Sequence, residues 1–186
     1  NDNSAEILHS YNDRRVKYFK SPEKLDLYKA RNLAIEKSEG EYICFLDTDD
    51  LWENDKLEEQ LKYFKKNNNV KMIYSNYFLL TEKQKKIKFS EELPHGKISQ
   101  KLLDNYCVGI VSVMFKKEIF KILKFNDSYN IIGDFDFILK LSLKYEIGVI
   151  QKPLAYYRVH NHNLSKNINI YLSEMKIWFK NNEKYF

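Results

Sequence analysis

Residues 41–57 read EYICFLDTDDLWENDKL: an apolar run from Tyr42 to Leu46 that stops at three carboxylates, Asp47, Asp49 and Asp50. A run with so few polar positions leaves no solvated face. It therefore predicts a strand placed centrally in a largely parallel sheet covered on both sides. Asn54 or Asp55 then stands where a helix cap belongs, and Leu57, Leu61, Tyr63 and Phe64 recur at helical spacing behind it.

On the N-terminal side, residues 4–11 suit a short helix and "RVKYF" (15–19) a strand. Pro22 is placed to open a helical stretch that Gly40 ends. On the C-terminal side, "VKMIYSNYFLL" (70–80) is the next strand, so strands and helices alternate as in an α/β fold with crossover connections. The polar, lysine-rich segment 81–97 reads as a hairpin or mobile loop whose apolar anchors are Ile87 and Phe89. A short helix (98–105), a strand around "VSVMF" (111–115), a helix from Lys116, a helix over 134–145 and one or two strands in "GVIQKPLAYYRVH" complete the body. The segment 167–186 carries Ile168, Tyr171, Leu172, Met175, Trp178 and Phe179 on one helical stripe with lysines nearby, including Lys184. Such a stripe either packs on the domain's own core or lies at an anionic membrane surface.

The 186 residues are 44% apolar and include 14 Tyr and 12 Phe, the composition of one folded domain with a sizeable core. Thirty-one Lys and Arg against 26 Asp and Glu leave a net charge of +5. That excess is spread along the chain, which argues against a nucleic-acid partner and suits phosphate-bearing ligands or an anionic surface. Two cysteines, Cys44 and Cys107, make no disulfide framework. No apolar run approaches the roughly 20 residues that span a bilayer.

Ligands of open α/β sheets bind beyond the carboxyl ends of the strands, which is where Asp47, Asp49 and Asp50 lie. Three close carboxylates repel one another unless a cation is present, and hard oxygen donors on a short turn suit Mg²⁺ or Mn²⁺. Helix capping and loop solvation are the competing account. A calcium loop is excluded although Glu58 falls at the twelfth position. Leu51 occupies a ligand position, and Trp52 stands where that loop needs glycine.

"YICFLDTDDLW" resembles the Asp-x-Asp segment of family-2 glycosyltransferases of the GT-A fold. Four further segments agree in order. "NDNSAE" (1–6) is similar to the Asp-Asp-Gly-Ser segment after that family's second strand, and "KARNLAIEKSEGEYI" (29–43) to its Ala-Arg-Asn helix. "IIGDFDFILKLS" (131–142) resembles the Glu-Asp-x-Asp segment, and "PLAYYRVHNHNLS" (153–165) the closing Tyr-Arg-x-His segment. The resemblance implies a GT-A, Rossmann-like α/β domain over 1–165, with a mixed, mostly parallel sheet flanked by helices, and a C-terminal amphipathic helix over 166–186. The pattern's first strand, helix and second strand are expected ahead of Asn1. Gly133 stands where the family often has Glu, which leaves Asp134 as the acid at that point.

The resemblance further implies an inverting, metal-dependent transfer of sugar from a nucleoside-diphosphate donor, a UDP-sugar, to a saccharide or lipid-linked acceptor. Asp2 would bind the base and Arg31 help hold the nucleotide. Asp47 would contact the nucleotide, and Asp49 would ligate Mn²⁺ or Mg²⁺ with His160 near the metal or diphosphate. Asp134 would be the catalytic base. It implies a cytoplasmic protein with peripheral contact at the inner membrane face. Each residue has a plainer role open to it: a helix cap for Asp2 and Asp134, a surface position for Arg31, an ordinary loop for His160 and His162. Asp136 is read as structural. A non-catalytic nucleotide- or glycan-binding module of the same fold is the alternative, and a sugar nucleotidyltransferase a second.

Overall fold

A computed structural model describes residues 3–183; Asp2 and Lys184 therefore lie outside the described residues. Six helices and six strands occur among them in the order α1 (Ser4–Ser10), α2 (Leu27–Lys37), β1 (Tyr42–Ile43), β2 (Leu51–Trp52), α3 (Lys56–Lys66), β3 (Met72–Leu80), β4 (Lys85–Ile87), α4 (Ser99–Asp104), β5 (Met114–Lys116), α5 (Gly133–Ser142), β6 (Ile147–Arg158) and α6 (Ile168–Asn182). Short 3-10 turns precede and follow β5.

The strands form one mixed sheet in the order β1-β5-β3-β6-β2, with β4 paired to β3. Its long axis is the parallel pair β3–β6, in register from Met72 opposite Ile147 to Leu80 opposite Arg158, with irregularities after Ser75 and Asn76. The remaining pairings are antiparallel. β3 pairs with β5 through Met72 and Ile73 and with β4 through its last three residues, so the sheet turns along its length. Gly148 permits a close approach here: a Cβ on it would sit 2.5 Å from the Tyr63 ring and 2.6 Å from Ile73.

The apolar run at 42–46 is placed differently from expectation. Only Tyr42 and Ile43 enter the ladder, at one end of the sheet order, and they pair with β5 alone. Its apolar character serves two clusters instead: Ile43 and Phe45 pack toward the main core, and Tyr42 and Cys44 against Phe64 and Ile73. Leu46 is exposed. "RVKYF" forms no strand; Val16, Tyr18 and Phe19 are exposed, and β-branched and aromatic residues without a paired neighbour have no ladder to join. α2 begins at Leu27 rather than beside Pro22.

The main core gathers Tyr28, Met72, Tyr74, Phe115, Phe120, Phe125, Phe137 and Trp178 with their neighbours. Phe125 and Phe137 pack at 4.5 Å between ring centroids, and Phe115 meets Phe137 edge-on, so α5 is fixed to the sheet by aromatic contacts. Segment 81–97 begins with the turn from β3 into β4, which closes a hairpin. Beyond it the chain is tied down by buried Leu93, whose N–H and carbonyl both bond the Gln151 amide, and by a bridge from Gly96 to Ile147. Leu93 is an anchor the charge pattern hid.

Of the α6 stripe, Trp178 is buried and Met175 packs on the core, whereas Ile168, Tyr171, Leu172 and Phe179 are exposed. The buried side instead includes Glu174 and Asn182. Among the described residues no helix is long and apolar enough to cross a membrane.

Candidate functional site

The chain leaving β1 makes a tight turn in which the Asp50 N–H donates to the Asp47 carbonyl at 3.0 Å. The three carboxylates fan out from it to three different partners. Asp47 receives Arg31 Nη2 on both oxygens at 3.0 Å. Asp49 Oδ2 lies 2.8 Å from His160 Nε2. Asp50 is buried and accepts the Arg158 N–H at 2.8 Å, while Arg158 Nε donates to the Asp49 carbonyl at 2.7 Å. Burial, reinforced by Asp49 and Asp47, pushes the Asp50 carboxyl up to about 6, against the Arg158 N–H, which favours the ionised form. Asp50 thus ties the turn to the end of β6.

Arg31 is 7% exposed, and its guanidinium lies 5.4 Å from the ring centres of both Tyr28 and Phe45. Two aromatic faces and a carboxylate hold it rigid, which a surface helix position would not do. Tyr28, one helical turn before it, is buried and reaches across to the start of α5. Its hydroxyl sits 2.8 Å from the Ile131 carbonyl and 3.2 Å from Asp134 Oδ1. Burial holds the Asp134 carboxyl above its usual range, opposed by the Phe135 N–H at 2.8 Å and by the Arg31 charge. Gly133 explains why no side chain stands there: a Cβ would lie 2.5–2.7 Å from the Tyr28 ring.

His160 is set by a turn after β6, where its N–H donates to Asn163 Oδ1 at 2.7 Å and its Nδ1 accepts the His162 N–H at 3.1 Å. That second bond assigns the ring proton to Nε2, facing Asp49. His162 itself is exposed and serves through its backbone.

Tyr28, Arg31, Asp47, Asp49, Asp134 and His160 line one cavity of about 590 Å³, which Tyr77, Gly109, Tyr157 and Leu164 help enclose. A second hollow, of about 720 Å³ and lined by Phe89, Glu91, His95, Lys101 and Cys107, contains none of these groups. The structure thus brings five of the residues singled out from the sequence, Arg31, Asp47, Asp49, Asp134 and His160, to one cavity. Tyr28 was missed, although its place three residues before Arg31 puts both on one helix face. Tyr77 and Tyr157 had no such signal. Tyr106 lies outside the cavity lining; among the described residues its buried hydroxyl has no hydrogen-bond partner, and burial, then the Asp134 charge, raises its pKa.

Among the described residues no three side chains are grouped to hold a metal by themselves. Asp49 offers a hard oxygen donor at the cavity wall, and a divalent ion that keeps waters and substrate phosphates needs few protein ligands. His160 fits less directly. To ligate through Nε2 it must move its proton to Nδ1 and release the His162 amide, whereas as an N–H donor to an anion it keeps its tautomer and gives up only the Asp49 contact.

A mixed sheet flanked by helices, with an Asp-x-Asp turn at a strand end, is the GT-A glycosyltransferase fold. The S. aureus TarS chain 1–349 crystallised with UDP-GlcNAc superposes over 89% of this chain with a TM-score of 0.70 at 16% identity. The family model for Glycosyl transferase family 2 matches residues 1–130, and the chain belongs to that family. A glycosyltransferase of Haemophilus influenzae is 30% identical over this whole chain and 77% of its own length. The Escherichia coli UDP-Glc:alpha-D-GlcNAc-diphosphoundecaprenol beta-1,3-glucosyltransferase WfgD is 26% identical over 89% of this chain and 64% of its own. The chain spans 49% of the TarS chain and 58% of a Methanocaldococcus jannaschii glycosyltransferase that is 28% identical to it.

Proposed function

We propose that this chain forms the donor-binding and catalytic body of an inverting, metal-dependent glycosyltransferase that moves sugar from a UDP-sugar to a hydroxyl of a saccharide or lipid-linked acceptor. One observation carries the reading: Asp134, held by Tyr28, lines the same cavity as Asp49 and His160. Names of relatives support the substrate classes, since WfgD uses UDP-Glc and a diphosphoundecaprenol acceptor, and TarS was crystallised with UDP-GlcNAc.

In this reading Arg31 and Asp47 hold the nucleotide, and Asp49 ligates the Mn²⁺ or Mg²⁺ that accompanies the diphosphate. When bound, that ion neutralises charge developing on the leaving diphosphate. The His160 Nε2–H, directed at Asp49, would donate to the same oxygens on leaving that carboxylate. Asp134 takes the acceptor hydroxyl's proton as it attacks the face opposite the leaving group, which inverts the anomeric carbon. A carboxyl raised above its usual range is a better proton acceptor than an ordinary one, provided it is ionised at the working pH. Domain limits of 1–165 and 166–186 stay part of this proposal, as do a cytoplasmic location and peripheral contact at the inner membrane face through the exposed side of α6.

The test is turnover of a panel of UDP-sugars by the intact chain with Mn²⁺. Asp134→Asn is expected to lower turnover by roughly two to four orders of magnitude, the usual range for losing a general base, at nearly constant UDP affinity. A parallel fall in affinity and turnover would make Asp134 a binding residue and overturn the assignment.

A further inference from the structure

We infer that α6 is part of the catalytic apparatus, with Glu174 and Trp178 acting as positioning residues for Asp134. The inference rests on the reading of Asp134 as the base.

Glu174 is 5% exposed, and both its oxygens are spent on backbone. Oε1 accepts the Asn130 N–H at 2.5 Å, and Oε2 accepts those of Ile131 at 2.9 Å and Ile132 at 3.1 Å. These three amides belong to the loop that delivers Asp134. Buried N–H groups need acceptors, and an ionised carboxylate is the strongest acceptor a side chain offers. One turn along α6, on the same face, Trp178 Nε1 donates to Asp136 Oδ1 at 2.9 Å, and its ring meets Phe135 edge-on at 5.0 Å. Asp136 is itself buried and paired with Lys140 at 2.7 Å, so its carboxylate is a fixed point. α6 therefore grips the chain on both sides of Asp134, at 130–132 before it and at 135–136 after it.

The grip reaches the base by a second route. Ile131, whose N–H goes to Glu174, presents its carbonyl to the Tyr28 hydroxyl, and that hydroxyl also contacts Asp134 Oδ1. A shift of Ile131 moves Tyr28 and hence one of the groups that orient the carboxylate. Gly133 leaves no slack, because the Tyr28 ring already occupies the space of a Cβ. Proton transfer depends on placement within fractions of an ångström, and a misplacement of about 1 Å costs on the order of a hundredfold in rate.

Glutamine at 174 supplies one acceptor oxygen where the carboxylate has two, and its NH₂ would face an N–H. Phenylalanine at 178 keeps an aromatic ring against Phe135, removes the indole donor and leaves a smaller side chain at a buried site, a packing loss for which Phe64→Leu is the control. Both variants, with Asp134→Asn and Phe64→Leu (a buried site in the separate cluster on α3), are to be measured for kcat and KM on the UDP-sugar panel and for UDP–Mn²⁺ affinity by calorimetry. Amide exchange at 130–132 supplies a readout independent of activity. Glu174→Gln is expected to lower kcat tenfold to a hundredfold, roughly, with UDP affinity and KM within about twofold and with faster exchange confined to 130–132. Trp178→Phe is expected to lower kcat by a smaller factor with exchange at 130–132 unchanged, and it carries the test should Glu174→Gln fail to fold. The inference is overturned if both variants keep kcat while Asp134→Asn abolishes it, if UDP affinity falls as far as kcat, or if Phe64→Leu at equal thermal midpoint loses as much. Wild-type turnover by Asp134→Asn would instead remove the base reading, and α6 would then be a packing element alone.

Discussion

Lys56 gives a prediction that needs no substrate. It is fully buried at the start of α3, with Nζ 2.7 Å from Gln60 Oε1, 3.3 Å from the Val113 carbonyl and 4.4 Å from the Trp52 ring centre. Among the described residues no carboxylate is bonded to it, and burial lowers its pKa from 10.5 to about 8 despite nearby Cys44. Between those values the folded chain has released the proton that the unfolded chain still binds, so stability rises with pH through this window. At roughly 1.4 kcal/mol per pH unit the full gain is about 3 kcal/mol, and about 2 kcal/mol of it falls between pH 7.5 and 9.5. Buried Tyr28, Tyr74 and Tyr77 act the other way above about pH 10, because their raised pKa values keep protons on the folded state. The comparison must therefore stop below that pH and be made as a difference.

Urea unfolding of wild type and Lys56→Met at pH 7.5, 8.5 and 9.5 isolates the effect. Absolute stability at pH 7.5 decides little. Removing the charge relieves the burial penalty, but Gln60 Oε1 loses its donor at about 1–3 kcal/mol. The pH slope decides. Wild type should gain on the variant by about 2 kcal/mol across the range. Parallel curves would mean that Lys56 stays charged when folded, and that its three polar and aromatic contacts offset burial completely.

Asp49→Asn is expected to abolish the Mn²⁺ dependence of UDP binding in calorimetry while leaving the metal-free thermal midpoint in place; equal metal dependence in both proteins would remove Asp49 from the metal. Gly133→Ala should cost about 1–3 kcal/mol by overpacking against Tyr28, less the helix preference of alanine, and should lower turnover with it. Unchanged stability and turnover would show that the Tyr28 ring has room to move. Leu172→Glu with Phe179→Glu, both on exposed positions of α6, should leave the thermal midpoint intact and end binding to anionic vesicles at low salt. No vesicle binding by the unaltered chain would reject the membrane contact.

Local patterns carried the sequence reading as far as they reach. The Asp47–Asp50 turn, α3 and α6 were legible because strand ends, caps and helical periodicity are written in neighbouring residues. Strand order was not. β1 lies beside β5, about 70 residues on, and an apolar run looks the same whether two helices or two strands cover it. "RVKYF" has strand composition, yet a strand exists only where another backbone accepts its bonds. Glu174 was hidden for a related reason: a charged residue on a helix is ordinarily solvated, and its partners lie 42–44 positions away. The α6 stripe was drawn from apolar residues, which put Phe179 and Trp178 on one face and left Glu174 out; the fold buries Trp178 and Glu174 and exposes Phe179.

Three carboxylates in four residues do not need a cation simply to coexist. Asp47 is matched by Arg31, Asp50 by a backbone N–H and a raised pKa, so two of the three are already accounted for within the fold. Asp49 differs. Its partner is a histidine whose ring proton is fixed on Nε2 by a turn, at a cavity wall, and both groups are partly open to solvent. An exposed pair of this kind adds little to stability. The arrangement makes sense when Asp49 and His160 are kept free of stronger partners, and Asp47 and Asp50 are the residues that keep them so by fixing the turn to α2 and β6.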